Sequence, residues 1–163
     1  MNNVVDAVVE ITHGSKNKYE TDKKTGKIRL DRVLSTSSVY PAEYGIIEET
    51  LAPDNDELDI VILSNEKTYP GCVVPARVLG YLEMYDRGDA DYKLISVVDV
   101  DPRYNHINEL SDLSEVTLSE IKNFFENYKS LDNIDVKVCD YHSKEEALVI
   151  IEECKKAYQD KKL

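Results

Sequence analysis

Tryptophan is absent from this 163-residue chain and phenylalanine occurs twice, so tyrosine, with eleven copies, is the one abundant aromatic. Phenols mostly serve core or turn packing, yet they can also donate hydrogen bonds to phosphate. No run of about 18 apolar residues occurs, which removes a membrane-crossing helix. The three cysteines, Cys72, Cys139 and Cys154, are odd in number and far apart. They read as reduced thiols, two of them half-buried, and not as a disulfide framework. His13, His106 and His142 have no ligand spacing to them, so no zinc site is expected. Met1 to Asp6 has neither the basic start nor the apolar stretch of a secretory signal, and the expected compartment is the cytoplasm. Positive charge is scarce too, with 20 Lys and Arg against 32 Asp and Glu and a net charge of −12. A surface that grips a phosphate backbone needs clustered cations. No nucleic-acid or membrane partner is expected.

The length fits one domain spanning residues 1–163. Residues 4–11 are β-branched and apolar enough for a strand, whereas residues 16–26 read as a charged connection ending in a turn at Lys23-Lys24-Thr25-Gly26. Residues 27–33 alternate, and period two puts Arg32 on the face of Ile28 and Leu30. An arginine there has to be paired or point into a cleft. Further strands are expected at 58–64, 73–74, 78–84 and 92–100. The last third changes character. Thr117-Leu118-Ser119-Glu120 reads as a capping box opening a helix over 118–131, a strand is expected at 134–141, and Ser143-Lys144-Glu145-Glu146 opens a second helix. Its stripe is Ala147, Ile150, Ile151, Cys154 and Tyr158. Short strands first and helices last make an α+β fold, a small barrel with helices appended.

Carboxylates carry the functional case. Asp54-Asn55-Asp56-Glu57-Leu58-Asp59 places three aspartates where a loop enters an apolar strand. A solvated turn explains most acidic loops, but Asp59 lies within the strand and must find a cation, a proton or a cavity. Register excludes a calcium-binding EF-hand, since the position that needs glycine holds Asp59. A second acidic run, Asp86-Arg87-Gly88-Asp89-Ala90-Asp91, sits in a hairpin. Mg²⁺ takes one or two protein carboxylates and fills its shell with water and substrate phosphate. Two converging acidic loops therefore point to several ions around a phosphate.

These segments resemble the soluble family I inorganic pyrophosphatases over nearly the whole chain. The resemblance rests on Gly14-Ser15-Lys16-Asn17-Lys18-Tyr19-Glu20, Leu30-Asp31-Arg32-Val33-Leu34, Tyr40-Pro41-Ala42-Glu43-Tyr44-Gly45 and the D-x-D-x-x-D element from Asp54 to Asp59. Pro70-Gly71, the Asp86 to Lys93 loop and Phe124-Phe125-Glu126-Asn127-Tyr128-Lys129 follow in order. It implies a five-stranded OB-type barrel with flanking C-terminal helices and a Mg²⁺ site at its mouth, with Mn²⁺ as an alternative ion. On that resemblance Asp54, Asp59 and Asp91 hold one ion, with Asp59 bridging to a second. Asp86 and Asp91 serve a third, and Glu20 a fourth. Asp56 orients the attacking water, and Lys18, Arg32, Tyr44, Lys93, Tyr128 and Lys129 bind the two phosphoryl groups. Glu10 and Tyr40 support them. The implied reaction is hydrolysis of pyrophosphate without a covalent intermediate, in a homo-oligomer and by analogy a homohexamer.

The chain departs from the family pattern at Glu43, where asparagine is usual and a carboxylate is expected to weaken phosphate binding beside Tyr44. Asn55 and Glu57 replace glycine and proline, and Arg87 replaces an acid. The rivals are a hydrolase of another phosphoanhydride, such as tripolyphosphate or a nucleoside triphosphate, a metal-binding pseudoenzyme, and an OB-type binding module. No Walker A pattern supports a nucleotide. A binding module needs a basic, aromatic groove. The six acids Glu20, Asp54, Asp56, Asp59, Asp86 and Asp91 equal half of the net charge of −12.

Overall fold

A computed structural model describes residues 2–163. In chain order the elements are β1 (Val4–Ile11), β2 (Asn17–Thr21), β3 (Ile28–Val33), β4 (Glu43–Ile47), β5 (Leu58–Leu63), β6 (Val73–Asp86), β7 (Asp89–Ala90), β8 (Lys93–Val98), α1 (Glu115–Asn127), β9 (Val136–Ser143) and α2 (Lys144–Lys162). Strands pair in the order β1-β4-β5-β8-β6, and β6 returns to β1 from Val4↔Arg77 to Val8↔Val73. That last pairing closes a five-stranded barrel. Every pair in it is antiparallel except β5–β8. The barrel is the OB-fold, and the helices make the whole α+β.

β5 shows why the ring closes where it does. Leu58, Ile60 and Ile62 pack into one cluster with Ala7, Val9 and the α2 residues Ala147, Ile151 and Cys154. Val61 faces the other way, into a cluster with Tyr40, Tyr44, Phe124 and Phe125. A strand covered on both faces reads as a continuous apolar run, and Asp59 falls on the Val61 side by period two. α1 thus covers one face of the sheet and α2 another.

Gly45 lets β1 and β4 approach. A Cβ at that position would lie 2.1 Å from the Val8 carbonyl oxygen, a contact no side chain can relieve.

Several sequence expectations are corrected. β2 is a strand and not part of a connection; it pairs with β3 as an arm beside the barrel. Its residues are polar because the arm has no core of its own. Ile28 and Leu30 do not form a buried face, and Leu30 is 56 % exposed. The β2–β3 register shifts between Lys18↔Arg32 and Tyr19↔Leu30, so Asp31 is a bulge and the alternation assumed for Arg32 breaks there. β4 is a strand where none was expected, and β6 runs unbroken through Pro75. The helix start at Thr117 is also wrong. Ser114 is the N-cap, its hydroxyl accepting from the Thr117 N–H at 3.2 Å, and Thr117 lies one turn inside. The second capping box at Ser143 and Glu146 is present as expected.

Gly45→Ala should therefore open the β1–β4 seam. Forced overpacking of this kind costs about 1–3 kcal/mol; urea denaturation should show a lower midpoint, and an unchanged midpoint would contradict the close approach.

Candidate functional site

Glu10 reaches the mouth of the barrel because it is a bulge. β1 pairs Val9↔Gly45 and Ile11↔Tyr44, which leaves Glu10 without an opposite residue and turns its carboxylate off the ladder. The arm supplies Lys18 and Glu20, two apart and so on one face of β2. The loop before β5 supplies Asp54 and Asp56, and β5 itself Asp59. The end of β6 supplies Asp86, the approach to β8 Asp91, and its first residue Lys93. Tyr128 and Lys129 follow the end of α1.

All of these, with Tyr40 and Tyr44, surround one cleft of ≈ 300 Å³. Arg32 alone among the expected site residues stands outside it, in an adjoining depression that shares Asp54, Asp86, Asp91 and Lys129 with the cleft. Its Nε is buried without a hydrogen-bond partner. A buried, unpartnered guanidinium nitrogen is costly unless an anion completes it.

At the centre, Lys93 Nζ donates to Asp59 Oδ2 at 2.7 Å, Asp91 Oδ1 at 2.7 Å and the Tyr44 hydroxyl at 2.9 Å. Asp59 and Lys93 are direct partners in the β5–β8 register, so the pairing is written into the sheet. Burial opposes the Lys93 charge, but Asp59, Tyr44 and Asp91 outweigh it and hold the ammonium well above its ordinary range. Burial raises Asp59 to about 6 against the pull of Lys93. It also pushes the Tyr44, Tyr40 and Tyr128 phenols up, so all three stay protonated donors. The rings form the floor: Tyr40 lies 4.7 Å from Phe124, and Phe125 5.5 Å from Tyr128, centroid to centroid.

Four further acids of the cleft each have a lysine. Lys129 bonds Asp86, and Lys18 bonds Glu20 and Asp31. Lys23 bonds Asp56 at 2.8 Å and Glu57 at 3.1 Å. A hydrogen bond with Glu57, then Lys23, hold Asp56 down to about 2 against partial burial. Asp54 has no such cation, and burial raises it. Among the described residues no three Asp, Glu, His or Cys groups gather closely enough to hold one ion, because the lysines stand between the carboxylates. The donor set still fits a hard divalent cation: it is carboxylate oxygen throughout, desolvated at Asp54 and Asp59.

Lys23 and Glu57 line the cleft and were not expected to. Lys23 sits in a turn that reads as solvated, and only the folding of the arm over the aspartate loop brings it in. Glu43, expected beside the phosphate, is not there. It is buried away from the cleft, where its carboxylate accepts from the Thr68 N–H at 3.0 Å and the Thr68 hydroxyl at 3.1 Å. Asn55 takes φ 67°, a left-handed conformation that asparagine tolerates in place of glycine.

The family profile described as inorganic pyrophosphatase matches residues 7–159. An inorganic pyrophosphatase of Halalkalibacterium halodurans is 47% identical over 156 residues, covering 96% of each chain. The crystal structure of the Thermus thermophilus inorganic pyrophosphatase superposes with a TM-score of 0.93 at 42% identity, over 96% of this chain and 92% of that one. The Helicobacter pylori inorganic pyrophosphatase gives 0.94 at 41% identity, over 98% and 95%.

Glu10 offers a pH test. Burial raises its carboxyl from 4.5 to about 7, against a hydrogen bond from Thr21. Between those values the folded chain keeps a proton that the unfolded chain has lost, so stability falls as pH rises. Glu10→Gln keeps an acceptor for Thr21 N–H. It should stabilise the metal-free protein by on the order of 1–3 kcal/mol near pH 8 and by little below about pH 4.5. Urea denaturation in EDTA at both pH values checks this; an equal gain at both would contradict it.

Proposed function

This chain belongs to the inorganic pyrophosphatase family and is an enzyme that hydrolyses pyrophosphate, and we propose that the acidic cleft is where it does so, with Mg²⁺ as its cation and Mn²⁺ as a working substitute. The observation that carries this reading is the Lys93 ammonium, buried between Asp59 and Asp91 and bonded to Tyr44 at the mouth of the barrel. Carboxylates and cations at one point suit a substrate that is itself a metal-bound polyanion.

In this proposal Asp54, Asp59 and Asp91 would hold one ion, and Asp59 would also serve a second. Asp86 and Asp91 hold a third, and Glu20 a fourth. When bound, the ions neutralise substrate charge and lower the pKa of a water to near neutrality. Asp56 accepts a hydrogen bond from that water and aims it at phosphorus. The water oxygen bonds to one phosphorus, the bridging P–O bond breaks with its electron pair on the leaving phosphate, the proton lost by the water ends on phosphate, and two phosphates leave with no enzyme-bound intermediate. Lys93 donates to phosphoryl oxygens together with Lys18, Lys129, Tyr44 and Tyr128. Arg32, whose Nε has no hydrogen-bond partner and lies 4.0 Å from the Asp31 carboxylate, takes the same anion from the adjoining depression. Preorganised donors of this kind stabilise charge on the leaving phosphate. Glu10 and Tyr40 brace the site, Glu10 by accepting the Thr21 N–H at 2.8 Å and so fixing the arm.

The chain acts as one domain, and we place it in the cytoplasm. No helix among the described residues is long and apolar enough to cross a membrane. Exposed Ile28, Leu30, Val33, Tyr69 and Val73 support a homo-oligomer, expected to be a hexamer. Light scattering should give a mass well above that of one chain, and a monomer at micromolar concentration would end this part of the proposal.

Purified protein should release phosphate from pyrophosphate with Mg²⁺ and lose that activity in EDTA. ATP should be a poor substrate, and a preference for ATP over pyrophosphate with Mg²⁺ would overturn the cleft's assignment. Asp56→Asn should keep Mn²⁺ binding in titration calorimetry while kcat falls roughly 10²-fold, the scale of a misplaced nucleophile. Unchanged turnover would reject its role.

A further inference from the structure

We propose that Lys23 and Glu57 are a positioning pair for this reaction: the lysine clasps the β2–β3 arm to the aspartate loop and turns the Asp56 carboxylate so that one oxygen is anchored and the other faces the water. The inference rests on the reading of Asp56 given above.

The asymmetry of Asp56 carries it. Lys23 Nζ donates to Oδ1 at 2.8 Å, and the Glu57 N–H donates to the same oxygen at 3.0 Å. Among the described residues, no N–H, ammonium or hydroxyl group bonds Oδ2. A carboxylate held by two donors on one oxygen has a fixed rotation, and its second oxygen becomes the acceptor for a third party. An unanchored aspartate on an exposed loop would spread its acceptor over many directions, and misplacement by about 1 Å is enough to slow a reaction strongly.

Glu57 acts twice. Its N–H anchors Oδ1, and its carboxylate holds Lys23 Nζ at 3.1 Å. The ammonium is therefore shared between two anions and does not fully neutralise Asp56. It also stays docked when Asp56 engages the water. A proline at this position could supply neither contact, having no N–H and no carboxylate. The turn that carries Lys23 is itself built firmly: Asp22 N–H donates to the Lys27 carbonyl at 2.8 Å, Gly26 N–H to the Asp22 carbonyl at 2.7 Å, and Lys24 N–H to Asp22 Oδ1 at 2.9 Å.

The clasp also forms a wall. Lys23, Asp56 and Glu57 border both the cleft and a wider groove behind it. The pair lies largely in water, with the Lys23 and Asp56 side chains about 60% exposed (61% and 63%), where ion pairs add little stability. Orientation is the better account of its presence.

The test uses the full chain with Lys23→Met, Lys23→Arg and Glu57→Gln, each also in the Asp56→Asn background. Lys23→Met should lower kcat roughly tenfold, with KM for pyrophosphate and Mn²⁺ affinity each moving less than about twofold. Lys23→Arg should restore most of kcat, and Glu57→Gln should fall between. In the Asp56→Asn background Lys23→Met should add no further loss, because the two act as one unit. In metal-free protein, hydrogen exchange at the Glu57 amide should speed up in Lys23→Met. An unchanged kcat, or a change confined to KM or Mn²⁺ affinity, overturns the proposal. If Lys23→Met does not fold, Glu57→Gln decides by the same criteria. Full turnover in Asp56→Asn itself would show that the water-orienting role has failed, which is a different result.

Discussion

Lys93 is the constraint around which the rest is arranged. An ammonium lacking both water and partners would not remain charged inside a protein, so two carboxylates and a phenol must meet it in one place. They do so because Asp59 and Lys93 are register partners across the parallel β5–β8 seam, with Asp91 two residues upstream. The seam exists only in a closed barrel, and the barrel closes through β1 on both β4 and β6. Tyr44 arrives on β4, and Phe125 of α1 puts its ring 5.6 Å from the ammonium. Buried charges of this kind are weak stabilisers, since an apolar set of similar volume would often fold as well. Their presence is better explained by what they do when an anion and its cations enter.

The parts of this arrangement that sequence could reveal were those where a residue contradicted its surroundings. Asp59 inside an apolar strand was one, and it led to the cleft. Arg32 was another, although the reason given for it was wrong: the bulge at Asp31 defeats the alternation, and the orphaned Nε is what the structure supplies in its place. β2 and β4 were hidden for opposite reasons. β2 has no core to impose a period on it, and β4 follows Pro41 closely and is buried at every position, so it has no period either. The start of α1 was misjudged because a Thr-x-x-Glu pattern lies within the helix, while the true cap at Ser114 has threonine three residues on.

Residues that differ from the family pattern show the same limit. Glu43 sits next to Tyr44 in the chain, and proximity in sequence made it look like a threat to phosphate. In a strand, adjacent side chains point to opposite faces, and Glu43 goes to Thr68 instead of to the cleft. Lys23 and Asp56 are the reverse case, bonded across 33 positions. No local pattern could join a turn to a loop over that distance. Only the folded arm does.

Charge completes the account. Six acids seemed to assign half the net charge to the site, but eight acids and four lysines line the cleft, so most of the excess of −12 lies elsewhere on the chain. By that count the cleft holds four more acids than lysines, and burial of the Glu10 carboxyl trims that excess. Two divalent ions would bring it close to neutral. Further ions would then find little left to attract them, except the negative charge of the pyrophosphate itself. On the proposed reading, the lysines that pair with these acids would therefore limit how many cations the cleft gathers, and the same lysines would be the donors that meet the phosphoryl oxygens of the substrate.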